Sequence, residues 1–168
     1  MSVEPLARIA VGVVVERRAA TSPWIEHVWR SVGVLAGVPE AAPWTPLPGP
    51  SGADTFYAGG AEVELYRSET TNYRHNLASE QPSLWVVLRP TGADPPFAVV
   101  RVTADPAEGE AFTETGTDLV DAVPMPPPVV QAVAAFVAEH HVEHTFEKRK
   151  RGRADPEALG RRRGEESR

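Results

Sequence analysis

The 168-residue chain contains no cysteine. Disulfides, cysteine-ligated zinc, iron–sulfur ligation and thiol catalysis are thereby excluded together. Lysine is almost missing too, with only Lys148 and Lys150, so arginine carries the basic chemistry. Long apolar runs are absent. The longest early one, Ile9 to Val15, is seven residues set between Glu4 and Glu16-Arg17-Arg18. It is too short for a membrane span and wrongly flanked for a signal peptide, so a cytoplasmic protein without membrane contact is expected. Catalytic signatures are scarce. No Gly-x-Ser-x-Gly elbow occurs, and Gly49-Pro50-Ser51-Gly52 lacks the lysine and the strand–helix context of a phosphate loop. The acidic pairs Glu62/Glu64 and Glu108/Glu110 read as solvated faces.

Charge is divided by position. Residues 147–168 hold nine Lys/Arg against five Asp/Glu, a net of +4. Residues 1–146 hold eight basic and eighteen acidic groups, a net of −10. A body this acidic repels phosphate, so no nucleic-acid partner is expected. The cationic tail is low in apolar content and reads as disordered, and Lys148, Arg149, Lys150 and Arg151 are candidate contacts for an acidic protein surface.

Residues 8–18 are rich in β-branched side chains and read as a buried strand, and 29–36 as a second. Val38 to Gly52 carries five prolines and reads as a polyproline-type loop. Residues 55–57 and 61–67 flank Ala58-Gly59-Gly60, which reads as a hairpin. Glu69 to Ala78 suits a short helix, and 83–89 and 97–103 suit strands. Asp105-Pro106 starts a second helix, with Glu108 placed to complete a capping box. A strand over 118–123 and a proline stop lead to a long C-terminal helix read through His144. Strands linked mostly by turns predict an α+β fold: an antiparallel sheet or partial barrel of six to seven strands, two short helices and the long helix. Residues 1–146 form one domain and 147–168 the tail.

Three groups could carry function. On the last helix Val129, Val133, Phe136, Val137, His140 and His144 share one face. His140 and His144, at i and i+4, have metal-ligand spacing, but no second cluster supplies the remaining ligands, so neither a metal nor another cofactor is expected. Glu69, Tyr73, Arg74, His75 and Asn76 form the densest polar cluster. It reads either as a ligand pocket or as a solvated helix anchored by Tyr73 and Leu77. Trp24, Trp29 and Trp44 border the proline-rich loop. Core filling is their ordinary use, yet Pro43-Trp44-Thr45-Pro46 could present Trp44 to a partner from a stiff segment.

Several short motifs then converge: Pro23-Trp24, Trp29, Glu69 with Tyr73, Asn76-Leu77, Leu88-Arg89, Val123-Pro124-Met125-Pro126, Phe136 and Phe146-Glu147-Lys148-Arg149-Lys150-Arg151. In this order, over about residues 5–151, the chain resembles a family of small proteobacterial proteins of unknown function encoded beside molybdenum-dependent formate dehydrogenases. The resemblance implies a non-catalytic accessory or small-subunit-like protein. It would assist assembly, cofactor loading or stability of a cytoplasmic molybdenum and iron–sulfur enzyme, with a dehydrogenase component as partner. Some such proteins carry the label of molybdopterin-guanine dinucleotide biosynthesis. This chain lacks the glycine-rich N-terminal loop with the Arg and Lys that guanylyltransferases use. The alternative is a protein that binds, or acts on, a pterin or nucleotide through residues 69–76.

Overall fold

Apolar alternation along the N-terminal residues builds the longest strand, β1 (Ala7–Ala19), with Val11, Val13 and Val15 fully buried on one face. It pairs antiparallel with β2 (His27–Ala36) on one side and β4 (Ala53–Leu65) on the other. The short β3 (Thr45–Leu47) adds to the outer edge of β4. A 3₁₀ turn at Arg67–Glu69 leads into α1 (Thr70–Ala78), followed by β5 (Ser83–Pro90) and β6 (Phe97–Thr103). Then come α2 (Pro106–Thr113), β7 (Leu119–Pro124) and α3 (Pro127–His140). This computed structural model describes residues 3–142, so His144 and the 147–168 tail lie outside the described residues. No described helix is long and apolar enough to cross a membrane.

The fold is α+β, but its strands divide into two antiparallel sheets, ordered β2-β1-β4-β3 and β6-β5-β7, where one sheet or partial barrel was expected. The sheets come edge to edge, β2 beside β7 and β4 beside β6. Side chains join them there in place of a backbone ladder. The Ser31 N–H donates to the Asp121 carboxylate at 2.9 Å, and Arg101 bridges Glu64 at 2.9 Å and Glu108 at 3.1 Å. A single core fills the space between: Val11, Val13, Val34 and Val63 from the first sheet meet Leu84, Val86, Leu88 and Val102 from the second. Tyr73 from α1 and Val129, Val133 and Phe136 from α3 close one end of it, with the Tyr73 and Phe136 rings edge-on at 6.1 Å.

The hairpin expected at Ala58-Gly59-Gly60 does not form. Both of its arms belong to the single strand β4 and pair with β1, because β1 is long enough to serve them both. Val13 faces Gly59 while Val14 faces Tyr57, leaving Ala58 as the extra residue of a β-bulge. Gly59 takes φ +139°, which a side chain would resist. On the same strands Val38 and Pro39 lie against Gly60 and Gly12, at 3.1 Å from where a Cβ would stand. The proline-rich loop can therefore rest flat on the sheet.

Two helix expectations are also corrected. The Asp105 carboxylate caps α2 through the Ala107 N–H at 2.9 Å, as its sequence position predicts. The capping box stays half-made, because the Asp105 N–H donates to Thr103 Oγ1 and Glu108 is drawn to Arg101. The last helix stops at His140 rather than running through His144. His141 turns to extended backbone, and its ring lies 3.1 Å from Thr70 Oγ1 and 3.2 Å from Arg74 Nη1. Arginine only donates, so the imidazole Nε2 accepts from Arg74 and Nδ1–H faces Thr70.

Glu16 is a buried acid, at 4 % exposure, and receives Arg18 and Arg30. The hydrogen bond from Arg18 is the main cause that holds its carboxyl below the ordinary 4.5. A lowered folded value means that the contribution is complete above the unfolded value and fades as pH falls through the folded one. Glu16→Gln should therefore cost about 1 kcal/mol at pH 7, and less when the two proteins are compared at about pH 3. Urea unfolding at both pH values checks this, and a gap unchanged in acid would refute it.

Candidate interaction site

At the end of the core opposite α1 and α3, aromatic side chains take over from valines. The register sets Arg17 of β1 beside Trp29 of β2 and Asp54 of β4, and Phe56 follows two residues along the same face of β4. Trp44 enters from the turn that precedes β3. The Thr45 N–H returns to the Ala42 carbonyl at 3.2 Å, with Pro43 and Trp44 at the two central positions. Trp44 has φ +71°, the only non-glycine positive φ among the described residues. Proline followed by positive φ is the type II turn pattern, in which that second position normally belongs to glycine. A tryptophan there costs about 1 kcal/mol or more of backbone strain. Strain of this kind persists where the surroundings over-determine it, and here the contacts of the ring with Trp29 and Phe56 do so.

The Trp44 ring stands edge-on to Trp29 at 5.9 Å and tilted against Phe56 at 6.0 Å. Phe97 closes on Trp29 at 5.7 Å from the second sheet. The Arg17 guanidinium lies 5.5 Å from the Trp29 ring centre and 5.3 Å from that of Phe56. Its Nε and Nη2 both donate to Asp54 Oδ2, at 3.1 and 2.8 Å. Arg17, Trp29, Trp44 and Phe56, together with Ala93-Asp94-Pro95-Pro96 from the β5–β6 loop, bound a groove of about 310 Å³. Such a surface offers flat apolar faces, one neutralised guanidinium and, in Asp94, a carboxylate without an ion pair among the described residues. Apolar faces with a few convergent polar groups are the composition of a binding groove.

Trp24, in the connection beyond the Ala19–His27 pair, projects from the same end of the sheet and is 91 % exposed. Its neighbours Ile25 and Val28 are more than half exposed, at 56 % and 53 %. An exposed tryptophan among apolar neighbours is the composition of a binding hot spot.

The polar cluster of residues 69–76 is dispersed. Tyr73 is buried, its hydroxyl oxygen accepting the Tyr66 N–H at 2.9 Å, and burial pushes its pKa up to about 12. Asn76 is buried as well and bonds backbone groups only. Glu69 accepts from Asn72, which also donates to Asp105. Arg74 turns to His141. His75 and Asn72, with Pro106, Ala107 and Glu110, line a separate hollow of about 260 Å³. A larger hollow of about 640 Å³ lies at the helix end, bounded by Val3, Leu6, Arg67, Thr70, His140 and Val142. Its walls include the first and last described residues, so its mouth adjoins chain that is not described.

His140 packs its ring 4.5 Å from Phe136, with Glu139 3.7 Å away. Its proposed partner His144, like Lys148, Arg149, Lys150 and Arg151, lies outside the described residues. Among the described residues no three His, Asp or Glu side chains converge as a metal site. The sequence reading singled out Trp44 but missed Arg17, Phe56 and the 93–96 wall, because strand register alone brings them together.

No curated protein and no solved structure matches this chain. A family model does match, over residues 10–150, and by that match the chain belongs to the family described as Protein of unknown function (DUF3305).

Proposed function

We propose that this chain is a non-catalytic accessory or small-subunit-like protein, acting in the cytoplasm, and that the Trp44 groove holds its protein partner. The observation that carries the reading is Trp44 itself: a large aromatic left partly exposed in a strained backbone, at the lip of a groove of three aromatics. The partner's setting follows the sequence resemblance, which points to assembly, cofactor loading or stability of a molybdenum-dependent formate dehydrogenase. The pterin or nucleotide alternative has less support at residues 69–76, where two of its five groups serve the interior.

Trp44→Gly is the informative variant. Glycine accepts φ +71° without strain, so removal of the ring is partly offset and stability should change by no more than about 1–2 kcal/mol. Loss of a hot-spot ring should weaken partner binding by about 2 kcal/mol, or some 30-fold. Tagged wild-type and Trp44→Gly proteins, purified from the native host, should differ in the dehydrogenase components they retain. Equal retention, or none with either protein, would sink the reading.

A further inference from the structure

One guanidinium, Arg17, and one carboxylate, Asp94, line the groove, and Arg17 holds a second carboxylate, Asp54, beside it. Arg17 uses only Oδ2 of Asp54, whose side chain is 60 % exposed. Asp94 makes no ion pair among the described residues, and no cation lies over Trp44 among them. The groove already shows how it takes a guanidinium, since Arg17 stacks on both Trp29 and Phe56. A second arginine side chain therefore has an aromatic face and an unpaired acid waiting for it.

This chain holds such side chains in its own C-terminal segment, whose net charge of +4 opposes the −10 of residues 1–146. Chain length decides which of them can arrive. Val142 and Leu6 line the same hollow at one end of β1, and Arg17 lies at the other, about 36 Å from Leu6 at strand spacing. Lys148 to Arg151 and Arg153, six to eleven residues beyond Val142, reach about 20–40 Å at full extension, so the nearer of them fall short and the others arrive only with the chain fully stretched. Arg161-Arg162-Arg163, nineteen to twenty-one residues beyond, reach about 60–75 Å and arrive with slack.

We propose that Arg161-Arg162-Arg163 of the same molecule docks in the Trp44 groove, with a guanidinium on Trp44 and its charge on Asp94 and Asp54, so that the segment covers the partner site until a partner displaces it. The inference rests on the groove reading and adds its regulation. The tether supplies a local concentration on the order of millimolar, so the contact is intramolecular and easily displaced.

Absence of cysteine makes the test direct. A nitroxide on Gly164→Cys in the full chain is read by paramagnetic broadening of the four indole N–H signals. Trp44 and Trp29 should broaden at least about threefold more than Trp85, which packs under α2 on the second sheet. The difference should vanish in the Arg161→Gln/Arg162→Gln/Arg163→Gln variant, and in about 0.5 M salt, where screening shortens to about 4 Å. Equal broadening of Trp44 and Trp85 would overturn the proposal. So would broadening that persists when the label sits on a different molecule from the observed indoles. If Trp44→Gly loses its partner while the label shows no preference, the groove reading stands and the covering segment falls.

Discussion

Gly109→Ala should lower stability by about 3 kcal/mol, although glycine to alanine within a helix ordinarily gains about 1 kcal/mol. Gly109 is the buried residue of α2, and a Cβ there would stand 2.3 Å from Trp85 Cγ and 2.7 Å from Trp85 Cβ. Rotation about the Cα–Cβ bond could swing Cγ aside, but Cβ is fixed to the backbone of β5 and cannot be withdrawn. The helix must lift from the sheet instead. For a domain of this size the loss corresponds to a fall in Tm of about 6–12 °C. Urea unfolding should show a lower midpoint with an unchanged slope. A variant as stable as the parent, or more so, would show that α2 does not rest on Trp85.

Asn76→Asp should cost about 3–5 kcal/mol at neutral pH, as other uncompensated buried charges do. The substitution keeps the shape and exchanges two donors for an acceptor. Asn76 Nδ2 donates to the carbonyls of Ser83 at 2.8 Å and Ala104 at 2.9 Å, while Oδ1 accepts the Ser83 N–H at 2.9 Å. A single side chain thus ties α1 to the start of β5 and the end of β6. An aspartate would aim negative charge at two carbonyl oxygens in a site only 4 % exposed. Burial raises the pKa of such a carboxyl, so the folded state binds its proton more tightly than the unfolded state does. Stability then falls as pH rises from about 4 through the raised value, and acid restores part of the loss. Thermal melts of both proteins at pH 4 and pH 7 test this. A deficit independent of pH would mean that charge is not the cause.

Elements whose cues are local were legible in the sequence. Asp105-Pro106 starts α2 through its own carboxylate, and the alternation of Leu84, Val86 and Leu88 marks β5 without reference to anything distant. Elements that depend on a neighbour were misread. Gly59-Gly60 has the composition of a turn, and only the length of β1 makes it a bulge. Glu108 occupies the capping position yet answers to Arg101, a charge from another strand. The two sheets are joined by side-chain bridges at Ser31–Asp121 and Glu64–Arg101, pairs 90 and 37 residues apart that no local cue announces. The candidate site divides in the same way. Trp44 stood out because proline stiffness is local. Arg17, Phe56 and Asp94 required register and loop placement, and Tyr73 and Asn76 looked like surface chemistry because burial has no local signature in a polar helix.

The first sheet is assembled wholly from residues 7–65 and the second from residues 83–124, with no strand exchanged between them. During synthesis the first sheet can therefore close while the second is still being made. For that interval the faces of Val11, Val13, Val15 and Val63 lie open to solvent, in a half-molecule that already carries most of the groove. The nascent chain is then at its most adhesive, and a partner that met it at this stage would find Arg17, Trp29, Trp44 and Phe56 in place before the Ala93–Pro96 wall and the arginines at 161–163 had emerged. Order of emergence, as much as affinity, would then decide which molecule reaches the groove first.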